Sequence, residues 1–329
     1  MKRKWIRRVS WILLTPVLLF VILMILLYIP PVQNLLRREV TAYASKATGM
    51  QIQVERIDLR FPLNLLVRGV EVIQQPDTLL SLESLNVRVQ AWPLVKGKVE
   101  VDEVTLSQVA FNSANLIEGM KIKGVLGRFF LQSHGVDLSN ELAVINQTEL
   151  SDTHVQMLMN DTTTTPKDTT ASAPVNWKVD LHKLKLKNVS FSMQLPADSM
   201  RMAAHIGEAF INDAQADLKN QFYELKQFLL SGSSANYDTG AAKPGEGFDA
   251  SHIAVRDIRI GLDSLLYKSR DMNAVIREFS MNERSGLSIT SLTGRSFSND
   301  SIIRIPGIKL QTPHSEIDLS AQTYWELVN

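Results

Sequence analysis

Side chains able to do acid–base, nucleophilic or metal chemistry are plentiful in this sequence but dispersed. The six histidines, His134, His154, His182, His205, His252 and His314, show no i, i+4 pairing, so a local metal clamp is not expected. Cysteine is absent, which rules out disulfides, thiolate nucleophiles and Cys-based metal sites, and suits an oxidising compartment. No G-x-S-x-G, Walker A, G-x-G-x-x-G or H-E-x-x-H occurs, and Gly245-Glu246-Gly247 lacks the third glycine of a dinucleotide fingerprint. The carboxylates Glu100, Asp102 and Glu103 sit among apolar residues as a wetted sheet face would require. Distant residues can still converge in space, but the sequence gives no positive support for a catalytic residue, cofactor or metal, and the expectation is a non-enzymatic protein. A net charge of +1 gives no field for nucleic acid.

The chemistry that remains is that of apolar surface and membranes. From Val9 to Ile29 runs an uncharged stretch of about 21 residues, including Val9, Trp11, Leu13, Leu18, Phe20, Ile25 and Ile29, close to the length of a membrane-spanning helix. Lys2, Arg3, Lys4, Arg7 and Arg8 precede it without an acid, which predicts a cytoplasmic N-terminus and the bulk of the chain outside. The run is longer than a signal peptide's apolar region, and Ala42-Tyr43-Ala44 is too distant to serve as its cleavage site. Residues 1–31 are therefore read as a cytoplasmic tip and single-pass anchor.

Pro30-Pro31 should stop that helix. Residues 32–49 then read as an amphipathic helix, with Val32, Leu35, Leu36, Val40, Tyr43 and Ala47 spaced by threes and fours and Gly49 placed as its C-cap. It either packs as a lid on the following domain or lies on the bilayer.

From Met50 the period becomes that of strands. Ile52, Val54, Ile57, Leu59 and Phe61 alternate with polar residues. Leu65, Val67, Val70 and Val72 follow, with Gly69 a bulge or turn, then Leu80 to Val89. Val101, Val104, Leu106, Val109 and Phe111 lie at offsets 0, 3, 5, 8 and 10, and Leu181, Leu184, Leu186, Val189 and Phe191 repeat those offsets. Val255, Ile258 and Ile260 begin the pattern again until Asp263 breaks it, which points to a repeated β unit roughly 75–80 residues long. The expected organisation is a first unit over 50–159, a low-complexity loop over 160–176, a second unit over 177–230, a flexible loop over 231–251 and a third unit over 252–329. Residues 203–217 read as a short helix or an Ala-rich strand. Asp161-Thr162-Thr163, Asp168-Thr169-Thr170 and Asp198-Ser199-Met200 resemble O-glycan acceptor motifs of bacterial extracytoplasmic proteins.

The order of a basic tip, an anchor, a Pro-Pro break, an amphipathic helix and Thr48-Gly49-Met50 leading into Ile52-Gln53-Val54 carries a family likeness. So does the strand–turn–strand run from Leu85-Asn86-Val87-Arg88-Val89 through Trp92-Pro93-Leu94-Val95-Lys96-Gly97 to Val101-Asp102-Glu103-Val104-Thr105-Leu106. Over residues 1–111, with a weaker echo from Leu181, the chain resembles the N-terminal region of the AsmA-like/TamB family, TamB being the inner-membrane subunit of the translocation and assembly module. The resemblance implies a mainly β, elongated, curved (U-shaped, taco-like) sheet with an apolar groove, held at the inner membrane of a Gram-negative cell and projecting into the periplasm. It implies phospholipid transport between inner and outer membranes. The alternative is a scaffold that assists outer-membrane protein assembly and secretion by β-augmentation with a barrel partner. No counterpart of the long C-terminal domain of TamB is found. About 15 strands at ~4.8 Å spacing would make a sheet near 70 Å long, too short to bridge two membranes alone. The final strands carry no cap, so either further chain or a partner strand is expected beyond them. Candidate groove-lining residues are Val87, Val89, Val99, Val101, Val104, Leu106, Leu184 and Leu186, and the face they share is left open, because a bulge would switch it.

Overall fold

The computed structural model describes residues 29–60, 63–90, 92, 93, 100–137, 141–159, 176–240, 243–268 and 271–325. The stretch Val9–Tyr28, the candidate Val99 and nearly all of the 160–176 loop lie outside these residues. Among the described residues no helix is long and apolar enough to cross a membrane.

One helix, α1 (Pro30–Thr48), opens the described chain, and Gly49 closes it in the left-handed conformation (φ 69°), its N–H bonded to Ser45 O. Pro30 and Pro31 take the first two positions of this helix, where proline's missing N–H costs nothing. Fourteen strands then line up in chain order, apart from one short spur. They are β1 (Gln51–Arg60), β2 (Asn64–Gln74), β3 (Asp77–Val89), β4 (Val101–Asn112) and β5 (Met120–Asp137). Next come β6 (Leu142–Met159), β7 (Lys178–Leu195), β8 (Met200–Asp217), β9 (Phe222–Asp238) and β10 (His252–Lys268). The last are β11 (Asp271–Glu283), the spur β12 (Ser288–Ile289), β13 (Ser291–Ser298), β14 (Ile302–Gln311) and β15 (Glu316–Tyr324).

All 15 belong to one open sheet, antiparallel throughout except for the parallel pair β6/β7. A parallel step needs a crossover connection, and 18 residues separate the end of β6 from the start of β7. Residues 203–217 fall inside β8, so the strand reading applies there. Residues 231–238 are the second half of β9, not the start of a flexible loop. Their small side chains, Ser231, Gly232, Ser233 and Ser234, look like linker composition, but Ser231 and Ser234 pair with β8, Ser233 pairs with β10, and Gly232 forms a bulge between them.

The sheet is a single layer. Elements in substantial contact are neighbouring strands, together with α1 and β1. No large side chain among the described residues is fully buried. The chain's accessible surface is 22197 Å², against about 13,600 Å² for a compact monomer of its mass.

Two lines of irregular backbone run across the strands. Along the first, each strand from β1 to β10 carries two consecutive polar or glycine residues. These are Glu55-Arg56, Arg68-Gly69, Glu83-Ser84, Ser107-Gln108 and Gly127-Arg128, then Ser151-Asp152, Lys187-Asn188, Gly207-Glu208, Ser231-Gly232 and Arg256-Asp257. The register sets these pairs side by side. Six positions take left-handed backbone: Gly69 (φ 59°), Gln108 (49°), Asp152 (51°), Asn188 (52°), Gly232 (60°) and Asp257 (56°). Each acts as a bulge that moves the in–out alternation on by one residue. Along the line, Asn188 Nδ2 donates to Asp152 Oδ1 (2.8 Å) and Asn282 Nδ2 to Asp257 Oδ2 (3.2 Å). The second line crosses β4 to β11 through Asp102, His134, Asn146, His182, Asp213 (φ 50°), Lys226, Asp263 and Arg277.

These lines account for the shared offsets. β4 and β7 run in the same direction and cross both lines, so each shifts phase after its first and third apolar residues. β10 runs the opposite way and meets the lines in reverse order, at Asp257 and then Asp263, which is why the pattern breaks there. Three strands crossing common lines in one sheet are enough to produce the periodicity.

Backbones approach closely at the first line. A Cβ on Gly207 would lie 2.6 Å from Gly232 O, and one on Gly127 would lie 2.7 Å from the Asp152 Cβ. Gly207→Ala should therefore destabilise the protein by about 1–3 kcal/mol. Gly307→Ala, in β14 where nothing lies within 4 Å, should stay within about 0.5 kcal/mol of wild type. Thermal unfolding of the two variants side by side checks this.

Candidate functional site

Directly opposed residues in paired strands project to the same face, so the register traces each face of the sheet. One row runs Ile57, Val67, Leu85, Leu106, Phe129, Leu150, Leu186, Ala209, Leu230, Ile260 and Phe279. Its neighbour runs Leu59, Leu65, Val87, Val104, Leu131, Thr148, Leu184, Ile211, Phe228, Leu262 and Ile276. No residue in either row carries a charge, and only Thr148 is polar. At ~4.8 Å per strand the rows extend about 48 Å from β1 to β11. The opposite face carries Arg56, Arg68, Ser84, Ser107, Arg128, Ser151, Lys187, Glu208 and Ser231 in one row, although Phe130, Phe210 and Leu229 interrupt a row beside it.

The described candidates all lie on the apolar face. Val87 opposes Val104, Val89 opposes Val101, and Leu106, Leu184 and Leu186 take their places in the two rows, each half-buried. Phe129 and Leu131 of β5, Ile211 of β8, Phe228 and Leu230 of β9 and Leu262 of β10 also belong to the surface and were not singled out from the sequence, while Ile260 of β10 was read only as part of the offset pattern. Their signal was present as alternation with a one-residue slip at each line. Of the anchor residues, only Ile29 is described; it is exposed and immediately precedes α1.

At the first edge of the sheet, α1 seals the free side of β1. Arg37 Nη1 donates to Val54 O (3.1 Å) and Glu55 O (3.3 Å), and Gln33 Nε2 donates to Leu59 O (3.2 Å). Ser45 Oγ accepts from Ile52 N–H (3.1 Å). The helix thus docks through a polar stripe spaced by fours. The helix does pack on the following domain, but through this polar stripe; Leu35, Val40 and Tyr43 of its apolar flank are exposed. Arg37, Arg38, Thr41 and Ala42 face Gln53, Glu55, Glu71, Ser81 and Glu83 across a cleft of about 940 Å³ on the polar side. At the other end of the sheet, β15 pairs only with β14 among the described residues.

Several titratable residues brace the lines and turns of the sheet. His134 Nδ1 lies 2.7 Å from Asn146 Oδ1 and His182 Nδ1 lies 3.0 Å from Asp213 Oδ1, both pairs on the second line. His252 is buried, with Nδ1 2.9 Å from Asp249 Oδ2. Among the described residues no group of three His, Asp or Glu could hold a metal ion. The His182 hydrogen bond holds Asp213 below its usual range, helped by Lys226. N–H groups of Gly245 and Ser251 do the same for Asp249. Asp217 is lowered by the side chain and N–H of Asn220, which tie the turn between β8 and β9.

Glu283 moves furthest, from 4.5 to about 2. The hydroxyl and N–H of Ser285 are the main cause, with the N–H of Ala254 adding to them. A depressed carboxylate contributes stability above its unfolded pKa and loses it as pH falls through the folded value. Wild-type stability should therefore hold to about pH 4.5 and fall between there and pH 2, whereas Glu283→Gln, lacking the contribution throughout, should decline less over that window. Urea midpoints measured between pH 7 and 2 on both proteins check this.

No family model matches the chain, and no curated protein sequence matches it either.

Proposed function

We propose that this protein is a lipid-handling sheet of the AsmA-like kind, anchored in a bacterial inner membrane by Val9–Ile29, its N-terminus cytoplasmic and its sheet periplasmic. In this reading its apolar face is a trough that receives the acyl chains of phospholipids on their way to the outer membrane. The observation that carries it is the pair of uncharged rows crossing eleven strands, with no second layer over them among the described residues. Burying that surface under hydrocarbon is favourable by about 0.8 kcal/mol per CH₂. Two further features support curvature toward that face. A bulge bends its strand and places the extra residue on the outer side of the bend. Leu82 and Ala209, the apolar-face residues next to the first line in β3 and β8, are among the few buried apolar residues. The likeness of residues 1–111 to the family points the same way.

Photocrosslinking from a benzophenone amino acid placed singly at Leu106, Leu186, Ser107 or Lys187 in intact membranes tests this. Phospholipid adducts are expected at Leu106 and Leu186, with at least several-fold fewer at Ser107 and Lys187. Absence of lipid adducts at the first two positions ends the reading.

A second reading rests on the open edge. Among the described residues β15 pairs only with β14, and the other side of Glu316–Tyr324 suits strand addition by an outer-membrane barrel or its client. If that is its role, Ser320→Pro should abolish co-purification of a barrel protein while leaving lipid adducts at Leu186 unchanged. Retention of the barrel by the proline variant removes the scaffold reading.

A further inference from the structure

Helix α1 uses one flank for the sheet and leaves another without a partner. At 100° per residue, Gln33, Arg37, Thr41 and Ser45 form the stripe that meets β1, while Ile29, Val32, Val40, Tyr43 and Ala47 fall together on a different side. Val40 is 51% exposed and Tyr43 76%. The side can be assigned. Arg38 and Ala42 border the cleft with Gln53, Glu71 and Ser81, which belong to the polar face, so the flank carrying Val40 lies on the side of the apolar face. The helix therefore extends that apolar surface beyond the edge strand. The chain enters this flank directly from the uncharged Val9–Ile29 stretch, whose natural solvent is a bilayer.

We propose that α1 lies in the lipid–water interface with Val40, Tyr43 and Ala47 immersed, and that the surface it occupies is the phospholipid bilayer itself. Tyrosine suits that depth, having an apolar ring and a polar tip. β1 then stands at the membrane surface and successive strands lead away from it. That this opens the apolar face to incoming lipid rests on the reading above; the immersion of α1 does not.

The cysteine-free chain allows a direct test. Single cysteines at Asn34, Val40, Ala42 and Tyr43 of the full chain are labelled with an environment-sensitive fluorophore. The proteins are reconstituted in phosphatidylethanolamine–phosphatidylglycerol vesicles and quenched with lipid-borne nitroxide or with iodide equilibrated across the membrane. Val40 and Tyr43 should be quenched by the lipid nitroxide and be at least three-fold less sensitive to iodide than Asn34 and Ala42. Equal iodide quenching at all four positions overturns the proposal. Protection at Val40 and Tyr43 without lipid quenching also overturns it, since a second copy or the protein's own N-terminal stretch would then cover the flank. Crosslinking at Leu186 is scored separately: a depth pattern without adducts sinks only the lipid trough, and adducts without a depth pattern sink only the immersion of α1.

Discussion

The whole sheet depends on neighbouring strands slipping phase together. A strand that gains one residue in its alternation turns every later side chain over. In a ladder of strands, a slip in one alone would set its apolar residues against its neighbour's polar ones. Here ten consecutive strands slip at one line and eight at another, and the cross-strand pairs stay matched on both sides of each. Left-handed backbone at Gln108, Asp152, Asn188 and Asp257 is tolerated by Asn and Asp with short polar side chains that bond locally, and by Gln at one position. Gly127 and Gly207 yield the space that the facing strand needs.

From that coordination follows the division of the molecule into two unlike faces. Cross-strand pairs such as Leu85–Leu106 and Val87–Val104 shield one another partially, and no second layer among the described residues completes their burial. The edges are treated unequally. α1 satisfies outward carbonyls of β1 through Arg37 and Gln33, a way of blunting an edge strand, whereas the outer side of β15 has no such cover among the described residues.

Much of this was legible in the sequence. Strand periodicity located most of the sheet, Gly49 marked the helix end, and Gly69 marked a bulge. The offsets 0, 3, 5, 8 and 10 were read as an internal repeat; two strands crossing the same lines leave the same spacing as two copies of one unit. Ser231–Ser234 look like linker because glycine and serine usually signal mobility, yet here small residues fit where strands crowd. The helix misled for a simpler reason. Apolar periodicity finds the greasy flank of a helix but not which flank meets the fold, and in α1 hydrogen bonds from Arg37, Gln33 and Ser45 decide that.

The single parallel joint between β6 and β7 bears on how such a ribbon assembles. Every other adjacent pairing joins antiparallel strands whose facing ends are close in sequence, a more local closure with smaller entropy cost. The β6/β7 joint does not, because its partners are separated by a crossover and their start points meet only after the chain has doubled back. Nascent chain emerging in order would therefore form two meanders, β1 to β6 and β7 onward, each nucleating alone. Their union is the slow non-local step, and until it closes each meander exposes a long unsatisfied margin to any other chain nearby.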